Sequence, residues 1–226
     1  MNTINSVDIA TYDLLILKVP PIISPQRRVR NISVPGRSGV LREWSGDYEA
    51  YTKKPEFLYK GESLSDAMDF LRNATLISFE NEPEYCYEVS ADEVVESERG
   101  KAGEMYIKCR YLTQPLKRLV NEPTLDEETT YTVTNIGNEP ALPKIIVTGS
   151  GEQTVTIGSQ TLTIDFAIGG ETITIDSLNG QIYDAYGASA WSKVTGNLPT
   201  IPVSESSITI STTGTALTVY PNWRWT

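Results

Sequence analysis

Thr134-Asn-Ile-Gly-Asn-Glu-Pro-Ala-Leu-Pro-Lys144 divides the chain into two pieces of different chemistry. Residues 1–128 hold 16 Lys+Arg and 22 Asp+Glu, whereas residues 129–226 hold 3 and 7. Both pieces are acidic, −6 and −4 within a net charge of −10, so the break is one of charge density and not of sign. A shift of this size marks a domain boundary. Pro140 and Pro143 fix φ and bias the residues before them toward extended backbone, which makes Asn135, Gly137, Asn138, Pro140 and Pro143 a stiff hinge. The expectation is two domains, 1–130 and 131–226, tightly joined.

Outward from the hinge toward the C-terminus, short runs rich in Thr, Ile and Val alternate with turn residues. Seven are expected as strands: Lys144–Thr148, Thr154–Ile157, Thr161–Phe166, Thr172–Ile175, Gln181–Tyr183, Ile208–Ser211 and Ala216–Tyr220. Gly149–Gly151, Gly158-Ser159, Gly169-Gly170, Asn179-Gly180 and Gly214 punctuate them. That spacing predicts a β-sandwich, and outward Ser and Thr account for its low charge.

Toward the N-terminus, residues 1–60 read as strands broken by turns. Arg27 to Val34 alternates loosely, with Val29 as the clearest inward position, and Pro35-Gly36 signals a turn with Gly39 as a second permissive site. Ser63 to Ala74 is the one convincing helix: Leu64, Ala67, Met68 and Leu71 fall at i, i+3, i+4 and i+7, Ser63 can cap it, and Asp66 meets the helix dipole. Leu76–Phe79 and Tyr85–Val89 form a hairpin around Asn81–Glu84. A charged excursion, Asp92 to Lys101, precedes a long strand in which Met105, Ile107, Cys109 and Tyr111 share one face. Asn121 to Thr130 reads as a polar connector.

Composition excludes whole classes of chemistry. The chain has no histidine, so Ser-His-Asp triads, Cys-His pairs and His-containing zinc sites are ruled out. Two cysteines, Cys86 and Cys109, are too few for a disulfide framework; they read as buried thiols, although both lie in predicted strands and could be neighbours. A pI near 4.6 argues against a phosphate-gripping surface. Arg27-Arg28-Val29-Arg30 is the local exception, read as a charged, partner-facing strand in preference to a nucleic-acid site. The Val34–Leu41 loop carries no phosphate-binding fingerprint. Leu14-Leu-Ile-Leu17 is far short of the ~20 apolar residues a membrane helix needs. Residues 1–8 lack signal-peptide character, so folding in a cytoplasm is expected. Asp165, Asp176 and Asp184 are the obvious acids for carboxylate-pair hydrolysis, but each sits where Asp is commonplace in strands and turns. No cofactor or metal is expected.

Several stretches resemble the distal tail (Dit) proteins of siphophages and related prophages. Val34-Pro-Gly-Arg-Ser-Gly39 is similar to their Pro-Gly-Arg-x-Gly loop. Asn135 to Ile145 resembles the start of their second domain, Ile173 to Gly180 its internal strand and Asn-Gly hairpin, and Pro221-Asn-Trp-Arg-Trp225 their C-terminal strand. In order and spacing the resemblance covers nearly the whole chain. It implies a mainly β structural protein: an N-terminal belt domain with one α-helix that closes into a ring, usually hexameric, and a C-terminal galectin-like β-sandwich projecting outward.

Such a ring is a hub at the virion tail tip, assembled in the host cytoplasm. It joins the tail tube protein to tail-tip, baseplate and receptor-binding proteins and lets DNA pass without specific binding, with no membrane insertion. An acidic subunit suits a bore that must not hold phosphate. Arg27, Arg28, Arg30, Pro35, Gly36, Arg37, Gly39 and Arg42 become candidates for subunit or tube contacts, where guanidinium pairs with carboxylates. The alternative function is carbohydrate binding at the tail tip through Trp191, Trp223 and Trp225. Against it, galectin sites use a histidine, and Trp223 and Trp225, two apart, share a face that a core would claim.

Overall fold

The computed structural model describes residues 2–100, 104–203, 208–213 and 216–226. The chain is mainly β and separates into two compact units, Met1–Val120 and Asn121–Trp225. The first unit contains β1 (Thr3–Ile4), β2 (Val7–Asp8), β3 (Leu14–Lys18), β4 (Arg27–Ser33), β5 (Val40–Tyr48), β6 (Tyr51–Lys53), β7 (Glu56–Tyr59), α1 (Leu64–Arg72), β8 (Leu76–Ser78), β9 (Tyr85–Arg99), β10 (Met105–Thr113) and β11 (Arg118–Leu119). Its main sheet runs β2-β1-β8-β9-β10-β7-β3, with β11 on β9 and β6 on β10.

Alternation builds this sheet. Along β10, Ile107, Cys109, Tyr111 and Thr113 are buried while Tyr106, Lys108, Arg110 and Leu112 face out, the period of two expected of a half-buried strand. The apolar stripe of α1 closes the inner face: Ala67 and Leu71 are buried, and Phe70 stacks on Tyr12 with ring centroids 4.0 Å apart. Tyr111 brings its only polar atom into this core and satisfies it, its hydroxyl donating to Leu71 O at 2.8 Å. Ser63 makes no side-chain cap, its hydroxyl lying 3.3 Å from that of Ser65 instead. The Asp92–Lys101 excursion is a strand as far as Arg99, because β9 keeps pairing with β10 from Val89↔Thr113 to Arg99↔Met105. Lys101 lies outside the described residues.

The second unit contains β12 (Leu125–Glu128), β13 (Thr130–Val133), β14 (Lys144–Ile157), β15 (Gln160–Asp176), β16 (Gln181–Asp184), β17 (Val194–Thr195), β18 (Ile208–Thr212) and β19 (Ala216–Tyr220). Two of the predicted turns are not turns. Gly149–Gly151 and Gly169-Gly170 are carried inside strands, so four expected short strands merge into β14 and β15, paired from Lys144↔Asp176 to Ile157↔Gln160. The register shifts between Gly149 and Gly151, a bulge that redirects the ladder without ending it.

Before the bulge β14 pairs with β19, and after it with β18. Likewise β15 pairs with β17 near Ile164 and with β16 near Ile175. The two long strands therefore serve both layers of a β-sandwich, one edged by β12 and β16 and the other by β13 and β17. Ile145, Val147, Val155, Ile157, Ile164, Ile175, Ile210 and Val219 fill the space between. The predicted connector is part of this unit: Leu125 pairs with Val219 and Glu128 with Leu217. Gly214 lies outside the described residues.

Thr134–Lys144 lies within the second unit, where its bonds are internal. Asn135 is buried, donating to Glu139 O (3.1 Å) and Ile201 O (3.0 Å) while accepting from Gly137 N (2.8 Å). Asn138 N and Glu139 N both donate to Arg224 O, at 3.1 and 3.2 Å, and Arg224 Nε returns a bond to Pro140 O at 2.7 Å. Pro143 O accepts from Ser177 N at 3.1 Å. Pro140 is thus tied to the C-terminal segment and Pro143 to the turn that follows β15.

Candidate interaction surface

β4 and β5 form a two-stranded sheet that joins no other strand among the described residues. We call it the arm. Its tip is a turn in which Arg37 N donates to Val34 O (3.1 Å) and Gly36 takes φ +80°, so Pro35-Gly36 fills the two central positions of a type II turn. Gly39 also needs positive φ, at +85°. All eight residues singled out in the sequence, Arg27, Arg28, Arg30, Pro35, Gly36, Arg37, Gly39 and Arg42, fall on this one element, and all are exposed.

Register assigns the arm's faces. Val29↔Trp44, Asn31↔Arg42 and Ser33↔Val40 alternate with Arg30↔Glu43 and Ile32↔Leu41. Past a bulge between Arg27 and Val29, the Arg27 guanidinium lies 4.2 Å over the Trp44 ring, and Tyr48 meets the same ring edge-on at 5.8 Å. Gln26, Arg27, Val29, Arg42 and Trp44 line an open cleft there. Val29 is only half-buried, because the arm has no second layer to bury it; what it faces is Trp44.

Charge distinguishes the arm from the rest of the chain. Residues 27–44 hold five Arg and one Glu, while the whole chain is −10, which leaves −14 elsewhere. Among the described residues none of these arginines makes an ion pair. Exposed guanidinium beside an aromatic ring is the composition enriched at the centres of protein interfaces.

The remaining sequence candidates separate. Trp223 is buried, at 4% exposure, so it belongs to the sandwich core and offers no sugar platform. Trp225 is half-buried, and Trp191, on a short 3-10 turn, is 46% exposed. Asp176 is occupied in holding the β15–β16 turn, accepting from Asn179 N (3.0 Å) and Nδ2 (2.8 Å). Asp184 shapes the next loop by accepting from Tyr186 N and Ala188 N, both at 2.9 Å. Cys86 and Cys109 are not joined in a disulfide: Cys86, only half-buried, donates Sγ to Leu119 O at 3.6 Å, and burial pushes the Cys109 thiol up to about 12. Sequence reasoning overlooked the exposure of Trp44 and its pairing with Arg27; Trp44 lies in a run of polar residues that carried no strand pattern of its own.

No protein-family model matches the chain, and no curated protein matches it in sequence. Structure is more informative. A crystal structure of the SPP1 Dit (gp 19.1) protein, described as a paradigm of the hub adsorption apparatus in phages infecting Gram-positive bacteria, superposes with a TM-score of 0.67 at 15% identity. The match covers 96% of each chain. This chain has the Dit fold. The mainly β architecture with a single helix and a sandwich, expected from the sequence resemblance, is therefore present as a fold. At this identity the Dit likeness speaks for architecture and not for individual side chains.

Proposed function

We propose that the protein is a structural subunit of a phage tail tip, forming a homohexameric ring hub that joins the tail tube to the tail-tip or baseplate proteins. The observation that carries this reading is the Dit fold over 96% of both chains. Its role is architectural and not catalytic, its place is the virion tail, and DNA passes without specific binding. The arm is the element offered to a neighbouring subunit or to the tube: five exposed arginines on a protein that is otherwise −14 favour an acidic surface of a second copy.

Negative-stain images and native mass spectrometry of the purified protein test the hub, with rings around a central hole expected. Monomers at every concentration tried, with or without tube protein, would overturn it. The Arg37→Glu variant tests the arm separately. It reverses one charge at the tip without touching a core, so loss of rings with an unchanged thermal midpoint is the expected result. Intact rings would remove the tip from the interface.

A further inference from the structure

Both ends of the arm return to one buried site in the first unit. β5 runs on into β6, which carries Tyr51 and Lys53; on the other side Pro20-Pro21 connects β3 to the segment leading into β4. Lys53 is 2% exposed, exceptional for a lysine. Its Nζ donates to Pro21 O at 3.2 Å and sits 4.0 Å over the Tyr87 ring, with Phe79 at 5.6 Å and Tyr51 at 5.7 Å. Next to it, Asn81 Nδ2 donates to Pro20 O at 3.0 Å.

The box has an acidic wall. Tyr87 donates its hydroxyl to Glu82 in a short bond, and Lys117 Nζ, itself 4.5 Å over the Tyr85 ring, bonds the other oxygen of Glu82. Glu82 spends its hydrogen bonds on Tyr87 and Lys117 and reaches the Lys53 ammonium through its charge alone, while the ammonium's direct contacts are a backbone carbonyl and three aromatic faces. A buried charge held this way is costly. A methionine would fill the space without that cost, yet could not bond Pro21 O.

The arm needs such a tether. A two-stranded hairpin without a second layer is marginal in water, and among the described residues β4–β5 pairs with no other strand. Tying Pro21 to Lys53 closes a loop of about 30 residues and removes its closure entropy in advance. We propose that the Lys53 box is a clamp on the two roots of the arm: Lys53 and Asn81 grip Pro21 and Pro20, so that the arm projects as one ordered hairpin and not as a fraying pair of strands. The clamp itself does not depend on what the arm meets. Its value for assembly does rest on the reading of the arm as a contact element, since a pre-ordered arm leaves less entropy to be lost on docking.

Hydrogen–deuterium exchange on the full chain at pH 7 tests this, with native mass spectrometry of the same samples fixing the assembly state. In Lys53→Met, amides of residues 27–48 should exchange at least tenfold faster than in wild type while those of Met105–Thr113 keep their protection. Trypsin should then cut first at Arg27, Arg28 or Arg30. Wild-type exchange in the arm of a folded Lys53→Met protein overturns the clamp, as does equal acceleration in the arm and in β10, which would make Lys53 an ordinary core residue. If Lys53→Met does not fold, Asn81→Ala decides: an acceleration of about threefold confined to residues 27–48 supports the clamp, and wild-type exchange overturns it. Rings that persist in a variant with a loosened arm would count against the arm as a contact and leave the clamp standing.

Discussion

The arm and the β14–β15 ladder are both antiparallel pairs broken by one bulge, and both alternate in sequence. Their burial is opposite. In the first half of β14 every second residue is buried, Ile145 and Val147 being 0% exposed, whereas β4 and β5 bury nothing fully. Backbone pairing is thus common to two regions with different sources of order. The ladder is held by a second layer of apolar side chains, worth roughly 1.5–3 kcal/mol for each large one buried. The arm has its own turn, one aromatic cluster and whatever grips its roots or its tip.

The largest effect expected from this difference comes from placing a carboxylate at equivalent points. Ile145→Asp puts a charge between the sandwich layers and should cost more than about 4 kcal/mol, enough to unfold the second unit. Ile32→Asp in the arm should stay within about 0.5 kcal/mol. Thermal unfolding followed by circular dichroism reads both. Similar losses would mean that the arm is packed against something and that the contrast is false.

A second test uses pH, because the arm's roots rest on a buried amine, whereas among the described residues the sandwich buries no lysine. Burial, reinforced by Lys117 and opposed by Glu82, lowers the Lys53 pKa from 10.5 to about 8. Since the folded value is the lower one, the penalty of the buried charge is fully present below pH 8 and is relieved as pH rises toward 10.5. The span corresponds to about 3 kcal/mol in all. Other groups act oppositely at the upper end: Cys109, Tyr51, Tyr87 and Tyr111 are all raised by burial, so folding loses stability as their unfolded counterparts ionise above about pH 9. The first unit of the wild type should therefore gain stability between pH 7.5 and 9, and Lys53→Met should show no such gain. Parallel profiles for the two proteins would mean that Lys53 is not the titrating group.

How much of this was legible beforehand differs by region for the same reason. Period-two alternation in β10 and the i, i+3, i+4, i+7 stripe of α1 identified core faces directly, since a buried layer writes itself into the sequence. Gly149–Gly151 and Gly169-Gly170 misled, because glycine marks a bulge as well as a turn and only the partner strand distinguishes them. Asn121–Thr130 looked like a connector because β12 is charged and pairs at an edge with β19, more than 80 residues away. The arginines of the arm were visible as a cluster through Arg27-Arg28-Val29-Arg30 and the Pro-Gly turn. The solitary state of their hairpin was not, because alternation cannot report a missing layer. Lys53 left no signal: a lysine in a short strand reads as surface.

Glycine gives a third comparison, of intermediate size. Gly137 lies where an added Cβ would come within 2.4 Å of Arg224 O, a backbone atom held by its own bonds to Asn138 and Glu139. Gly137→Ala should therefore cost about 2 kcal/mol and lower the midpoint of the second unit. Gly36 in the arm has open space around it and only the penalty of φ +80°, so Gly36→Ala should cost about 1 kcal/mol, confined to the tip. Denaturant unfolding should register the first, and exchange in residues 33–40 the second.

The smallest effect tests whether the arm's cohesion is separable from global stability. Arg27 over Trp44 is an exposed cation–π contact, worth about 0.5–1 kcal/mol at such sites. Were the arm part of the cooperative unit, Arg27→Ala would shift the unfolding midpoint of the first unit by a degree or more. Since β4 and β5 join no other strand among the described residues, their local opening is expected to precede global unfolding, as in any element with few buried contacts. Arg27→Ala should then leave the midpoint unchanged while raising exchange in residues 27–48 two- to fivefold. A moved midpoint with unmoved exchange would reverse the assignment and make the arm a stabilising part of its unit, not a projection from it.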